Sequence, residues 1–163
     1  EVVTLAKAVN DCRLKNGETA LDYEKGEITA VLAYMAYTSR GQAISVKIPD
    51  QDNEALAAYE QGKAYYYQRR GQLNFACATC HIQNAGKRLR AEVLSPLLGH
   101  TGGWPTYRLK WGEMGTLHRR IIGCHQQIRA QAPTAQSVEL RNLEYFLTFM
   151  ANGVPVTGPS TRK

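Results

Sequence analysis

In Cys77-Ala78-Thr79-Cys80-His81, two thiols stand three residues apart and an imidazole follows the second directly. Two intervening residues let one short turn carry both sulfurs to the vinyl groups of a porphyrin. The adjacent histidine then falls where it can ligate the iron. The pattern therefore predicts one covalently attached haem c, with His81 as an axial ligand. Thiol redox pairs and zinc sites also use C-x-x-C. A thioredoxin-like dithiol lies near a βαβ pattern, and the flanks here show no alternating strands. Structural zinc calls for a second ligand pair, whereas Cys12 and Cys124 are both solitary.

The elements that must hold this turn come next. At 163 residues the chain suits one generous domain or one and a half small ones. Apolar spacing predicts helices over residues 2–14, 27–40, 54–68, 116–130 and 137–151. Gly41 is the expected stop of the second, Asn53 the expected N-cap of the third, and Gly153 with Pro155 the end of the last. A long loop is expected across residues 98–111. No strand pattern is convincing, so the expected class is all-α. The longest apolar runs are too short to cross a bilayer. No signal peptide opens the chain. Covalent haem attachment occurs outside the cytoplasm, so a mature or trimmed periplasmic chain is expected.

Net charge is +6, unevenly spread. Residues 1–56 balance to −3 and residues 57–163 to +9. A basic haem-bearing part attracts anions, small or proteinaceous. Scattered basic residues without a recognised motif are a poor fit to nucleic acid.

Shifting the chain by 112 residues lays Cys12 on Cys124, Ala20 on Ala132, Glu27 on Glu139 and Gly41 on Gly153, without gaps. The repeat predicts that residues 1–44 are the closing part of a degenerate first unit. Residues 45–53 would then be a linker and residues 54–163 the haem domain. Gly62 and Tyr66 on one helix, answered by Tyr145 and Leu147 on the last, resemble the crossing of class I cytochrome c. That resemblance covers residues 53–153. It implies a cytochrome c-like haem domain preceded by part of a second, haem-less one.

A second iron ligand is the open question. Met114, Cys124, His125, His100 and His118 are the candidates, and residue types alone leave Met114 and Cys124 level. Several segments, in order, resemble the SoxA family of bacterial sulfur oxidation. They are Gly71-Gln72-Leu73-Asn74, Pro105-Thr106-Tyr107-Arg108-Leu109, Arg120 with Cys124 and Ile128-Arg129-Ala130, and Asn152-Gly153-Val154-Pro155-Val156 with Pro159. The resemblance implies that Cys124 is the distal ligand and the reacting sulfur, able to carry an extra sulfur as a persulfide. Arg120, one helical turn earlier, would help hold an anionic substrate. Arg119, Lys110 and Arg129 are further basic candidates for that pocket. In single-haem relatives a disulfide takes the missing haem's place, which leaves Cys12 bridged or free.

The implied activity is a periplasmic L-cysteine S-thiosulfotransferase. It would join thiosulfate to a cysteine of SoxY in the SoxYZ carrier and pass electrons to a SoxX partner. Two rivals stand beside it. One is a plain electron-transfer cytochrome with Met114 or His125 as distal ligand. The other is a binding subunit without chemistry of its own.

Overall fold

The computed structural model describes residues 1–48 and 53–163. Among them six helices form: α1 (Leu5–Lys15), α2 (Glu27–Thr38), α3 (Asn53–Tyr67), α4 (Cys77–His81), α5 (Leu117–Gln127) and α6 (Val138–Met150). The five longer ones fall where the apolar spacing puts them. Thr4, Thr116 and Ser137 cap α1, α5 and α6, each side chain accepting a backbone N–H from the first turn. Asn53 is itself helical, so it is not the cap of α3. Of the expected linker, residues 49–52 lie outside the described residues. Val46 just before them is tied down, exchanging two hydrogen bonds with the Asn152 side chain at 2.7 and 2.8 Å.

The helix-rich expectation holds, and five short strands that the sequence did not show are added to it among the described residues. Strands β1 (Arg88–Leu89) and β2 (Glu92–Val93) make a short hairpin. Strands β3 (Thr106–Arg108), β4 (Glu113–Gly115) and β5 (Ser160–Arg162) make a sheet in the order β4-β3-β5. The β3–β4 pair is antiparallel and the β3–β5 pair parallel. Strands of two or three residues are too short for a two-residue period to show in sequence. The parallel partner of β3 also comes from the far end of the chain, a pairing that no local pattern announces.

Helices α3 and α6 cross at the centre of the core. Gly62 permits the approach: a Cβ there would lie 2.0 Å from the Asn142 carbonyl oxygen and 3.0 Å from the Phe146 Cβ. Tyr66 packs on Phe146 at 5.5 Å between ring centroids, and both are almost fully buried. The close approach is thus made by Asn142 and Phe146, one residue beyond the expected Tyr145. The Tyr145 hydroxyl instead donates to the Lys47 carbonyl at 2.7 Å. Leu147 does join the core beside Leu140, Leu143, Ile121 and Leu117. Burying each such side chain contributes about 1.5–3 kcal/mol.

The 112-residue shift has a spatial counterpart. Helix α1 maps onto α5 residue for residue, and cap Thr4 onto cap Thr116. The two stretches pair reciprocally. Gly41 N–H donates to the Val156 carbonyl and Gly153 N–H to that of Ile44, both at 2.9 Å. Ile44 N–H reaches Val154 and Val156 N–H reaches Gln42, at 2.9 and 2.8 Å. Each bond becomes its mate under the shift, and the Ala43–Pro155 bridge becomes itself. This is the signature of a local two-fold relation. It leaves one asymmetry: Phe146 of α6 is buried under α3, whereas its counterpart Tyr34 of α2 is 71% exposed.

Candidate active site

Local hydrogen bonding shapes the C-x-x-C-H turn. Thr79 Oγ1 accepts the Ala76 N–H at 3.1 Å, and Asn84 Nδ2 donates to the Thr79 carbonyl at 2.7 Å. His81 Nδ1 lies 2.8 Å from the Ser95 carbonyl oxygen. A carbonyl only accepts, so the proton is on Nδ1 and the lone pair on Nε2, the tautomer a metal ligand needs. Burial, then the Arg120 charge, lowers the imidazole's proton affinity, with the Ser95 contact opposing. The His100 ring stands edge-on at 4.6 Å, and burial keeps it neutral too; protons on both rings would also set two like charges side by side.

Helix α5 forms the facing wall. Capped by Thr116, whose hydroxyl also donates to the Tyr23 carbonyl at 2.9 Å, it buries Leu117, His118, Ile121 and His125. The turned face carries Arg120 and Cys124, four residues apart. The approach to the haem-attachment turn is laid directly on the end of this helix. Gln72 N–H donates to the Arg129 carbonyl and Leu73 N–H to that of Ile128, both at 3.3 Å. Gly71, at φ +71°, sits so close that a Cβ would come within 2.2 Å of the Ile128 oxygen. Two segments that are distant in sequence are therefore one joint, fixing Cys77–His81 against Cys124.

Cys77, Cys80, His81, Arg120 and Cys124 all line one cleft of about 430 Å3. Its apolar wall includes Tyr66, Leu94, Ile121, Leu143 and Leu147. Burial pushes the Cys77 thiol up to about 11, and the nearby Cys124 adds to this. Cys80 is raised by the same two causes, with Arg120 opposing. The four cysteines are free thiols. Two neutral thiols, a histidine with its Nε2 lone pair available and an apolar cleft of ligand-binding size together fit a covalently held haem.

Of the other candidates, His100 lines the cleft beside His81, and the rest separate clearly. Met114 lies in β4 opposite Tyr107 and is not among the residues lining the cleft. His125 lines it, but Nδ1 donates to the Ile121 carbonyl at 2.8 Å and Nε2 accepts from the Tyr65 hydroxyl at 2.7 Å. Both of its ring nitrogens are occupied. His118 faces away, with Nε2 at 3.1 Å from the Glu144 carboxylate. Arg119 is drawn off by Glu113 at 3.0 Å and stacks on Trp111 at 4.4 Å. Lys110 and Arg129 are exposed and outside the cleft. Cys12 is exposed on α1 and bridged to no other thiol among the described residues. The cleft also holds charged residues with no role assigned from sequence: Arg70, Glu92, Arg162 and Arg108, the last inside the SoxA-like segment of residues 105–109.

Fold and cleft together define the class: a helix-rich domain with a haem-attachment motif facing a free cysteine. Within that class, the chain is similar to SoxA over its whole length. It is 59% identical to the L-cysteine S-thiosulfotransferase subunit SoxA of Allochromatium vinosum, matching all of this chain and 58% of that one. Identity to the subunit of the same name from Chlorobaculum tepidum is 51%, over 100% of this chain and 56% of that one. The crystal structure of SoxXA from P. pantotrophus superposes with a TM-score of 0.90 at 36% identity, covering 99% of this chain and 60% of that one. The chain thus spans a little over half the length of the relatives it matches. No protein-family model matches it.

Proposed function

We propose that this chain carries the reacting centre of an L-cysteine S-thiosulfotransferase of the SoxA kind, working in the periplasm. The observation that carries the reading is the shared cleft: Cys124 and Arg120 open onto the same space as Cys77, Cys80 and His81. Cys77 and Cys80 would hold one haem c by thioether bonds, with His81 and Cys124 as its iron ligands. When bound, the haem supplies a one-electron redox centre.

The chain's own residues account for the rest. His81 is kept neutral by burial and aimed by the Ser95 carbonyl. Arg120 offers a guanidinium to thiosulfate, 20% exposed at the cleft and so partly shielded from water. Cys124 forms a sulfur bridge with the substrate's terminal sulfur and hands it to a cysteine thiol of a carrier, read as SoxY of SoxYZ. Joining thiosulfate to a thiol releases one proton and two electrons, which leave to a partner cytochrome, read as SoxX. A plain electron carrier through Met114 or His125 is the weaker reading, since one lies outside the cleft and the other has both ring nitrogens engaged.

Residues 1–44 are the closing part of a haem-less cytochrome c-like unit, supported by the reciprocal pairing about Ala43 and Pro155. Residues 54–163 are the haem unit. An intact mass equal to the chain plus one haem is expected. A mass reporting two haems would end the haem-less assignment.

Arg120→Gln tests the substrate assignment. The helix surface tolerates the change, while a charge-assisted contact is lost, so KM for thiosulfate should rise about tenfold or more. Steady-state turnover with the carrier protein measures it, and an unchanged KM would remove Arg120 from the site.

A further inference from the structure

A second guanidinium stands in the cleft, and the reaction outlined above does not use it. Arg108 lies in β3, the central strand of the three-stranded sheet, and is 6% exposed. Its Nη2 donates to Glu92 Oε1 and, at 3.2 Å, to the Lys163 carbonyl. Its Nε is buried without a hydrogen-bond partner. From α5, Arg120 brings Nη2 to 3.8 Å from the other oxygen of Glu92. That distance is too long for a hydrogen bond. One carboxylate is therefore shared unequally between two guanidiniums, and all three side chains line the cleft onto which Cys124 opens.

The electrostatics make this a poor arrangement without an anion. Burial, and then the Arg120 charge, weigh against the charged form of Arg108, while Glu92 supports it. With Glu92 in place the three groups sum to a single positive charge. With Glu92 swung out they present two, facing a site partly shielded from water. A monoanion entering in place of Glu92 merely replaces one negative charge by another. A dianion gains the second guanidinium as well.

We infer that Arg108 is the second anion-binding residue of the site and that Glu92 is its resident counter-ion, displaced when a doubly charged oxyanion enters. The inference rests on the proposed reaction for the identity of that anion, thiosulfate. Placement suits exchange. Glu92 belongs to a two-residue strand paired with β1, whose Arg88 and Leu89 are exposed, so moving it disturbs little packing. Arg108 is anchored instead, flanked by β4 and β5, with its guanidinium 5.2 Å from the Trp111 ring. Its unpartnered Nε and adjacent Nη form the edge that matches an oxyanion with two parallel donors. Glu92 thereby selects for charge: it excludes monoanions by occupying the place they would take.

Calorimetric titration of the haem-loaded protein in complex with its partner subunit tests this, using thiosulfate, sulfate as an unreactive dianion and nitrate as a monoanion. Glu92→Gln should bind sulfate about tenfold more tightly and bring nitrate binding into the measurable range. Arg108→Gln should weaken sulfate about tenfold, and Arg108→Lys, which keeps charge but loses the paired donors, by less. In the Arg108→Gln background, Glu92→Gln should gain markedly less than it does alone. Thermal unfolding of each variant separates loss of fold from loss of binding. Sulfate binding no tighter in Glu92→Gln, or undiminished in both Arg108 variants, overturns the inference and leaves the proposed reaction standing. A parent protein that binds neither thiosulfate nor sulfate overturns both.

Discussion

Cys124→Ser is expected to lower the proposed thiosulfate transfer about a thousandfold or more while leaving the fold and the attachment of haem in place. The substitution changes one atom on a partly exposed face of α5 and removes no member of the buried core. Thr116 still caps the helix, and Ile121 and Leu117 still anchor it. A hydroxyl, however, forms no sulfur–sulfur bond and is a far weaker nucleophile than a thiolate. The loss should therefore fall on kcat, whereas Arg120→Gln falls mainly on KM. Turnover with the carrier and intact mass of the variant measure the two halves of the statement. Undiminished turnover would take Cys124 out of the chemistry.

Gly62→Val should cost about 3 kcal/mol of stability or more. A Cβ at this position meets backbone, 2.0 Å from the Asn142 carbonyl oxygen and 2.6 Å from its carbon, so no rotamer change relieves it. Helices α3 and α6 must move apart, opening the packing of Tyr66 against Phe146 and weakening the wall of the cleft. The contrast is Gly123→Ala on α5, where an added Cβ meets nothing within 4 Å. There the helix gains about 0.5–1 kcal/mol from the better helix former. Denaturant unfolding of the haem-loaded proteins checks both signs. Equal stability of Gly62→Val and its parent would mean that the crossing is looser than described.

Legibility in the sequence followed the range of the interactions. Helices α1, α2, α3, α5 and α6 are set by apolar spacing within a few residues and are visible in the sequence, whereas the caps Thr116 of α5 and Ser39 of α2 are not marked there. The Cys77–His81 turn was visible because its chemistry demands contiguous residues. The pairing of Cys124 with that turn was different: periodicity left it level with Met114, and only the resemblance to SoxA favoured it. Arg108 and Glu92 carried no signal of their own. They meet because β5 returns from the end of the chain to flank β3 and because a two-residue hairpin reaches over the cleft. The quoted segment Pro105–Leu109 did contain Arg108, but nothing in its spacing distinguished it from Lys110, which the structure leaves exposed. Phe146 in place of Tyr145 was a one-residue error of helix face, decided by where Gly62 stands.

The repeat is the clearest case of a sequence signal gaining physical content. Four identities and aligned helix ends suggested it. The reciprocal bonds of Gly41 with Val156 and Gly153 with Ile44 turn it into a two-fold pairing of backbone. Through that pairing residues 41–46 run against residues 152–156.

The proposed reaction depends on the sulfur of Cys124 reaching the iron that His81 would hold. Electron paramagnetic resonance of the ferric, haem-loaded protein reads this directly. A low-spin histidine/thiolate signal that disappears in Cys124→Met is expected. A histidine/methionine or bis-histidine signal in the parent protein, unchanged by that substitution, would contradict it.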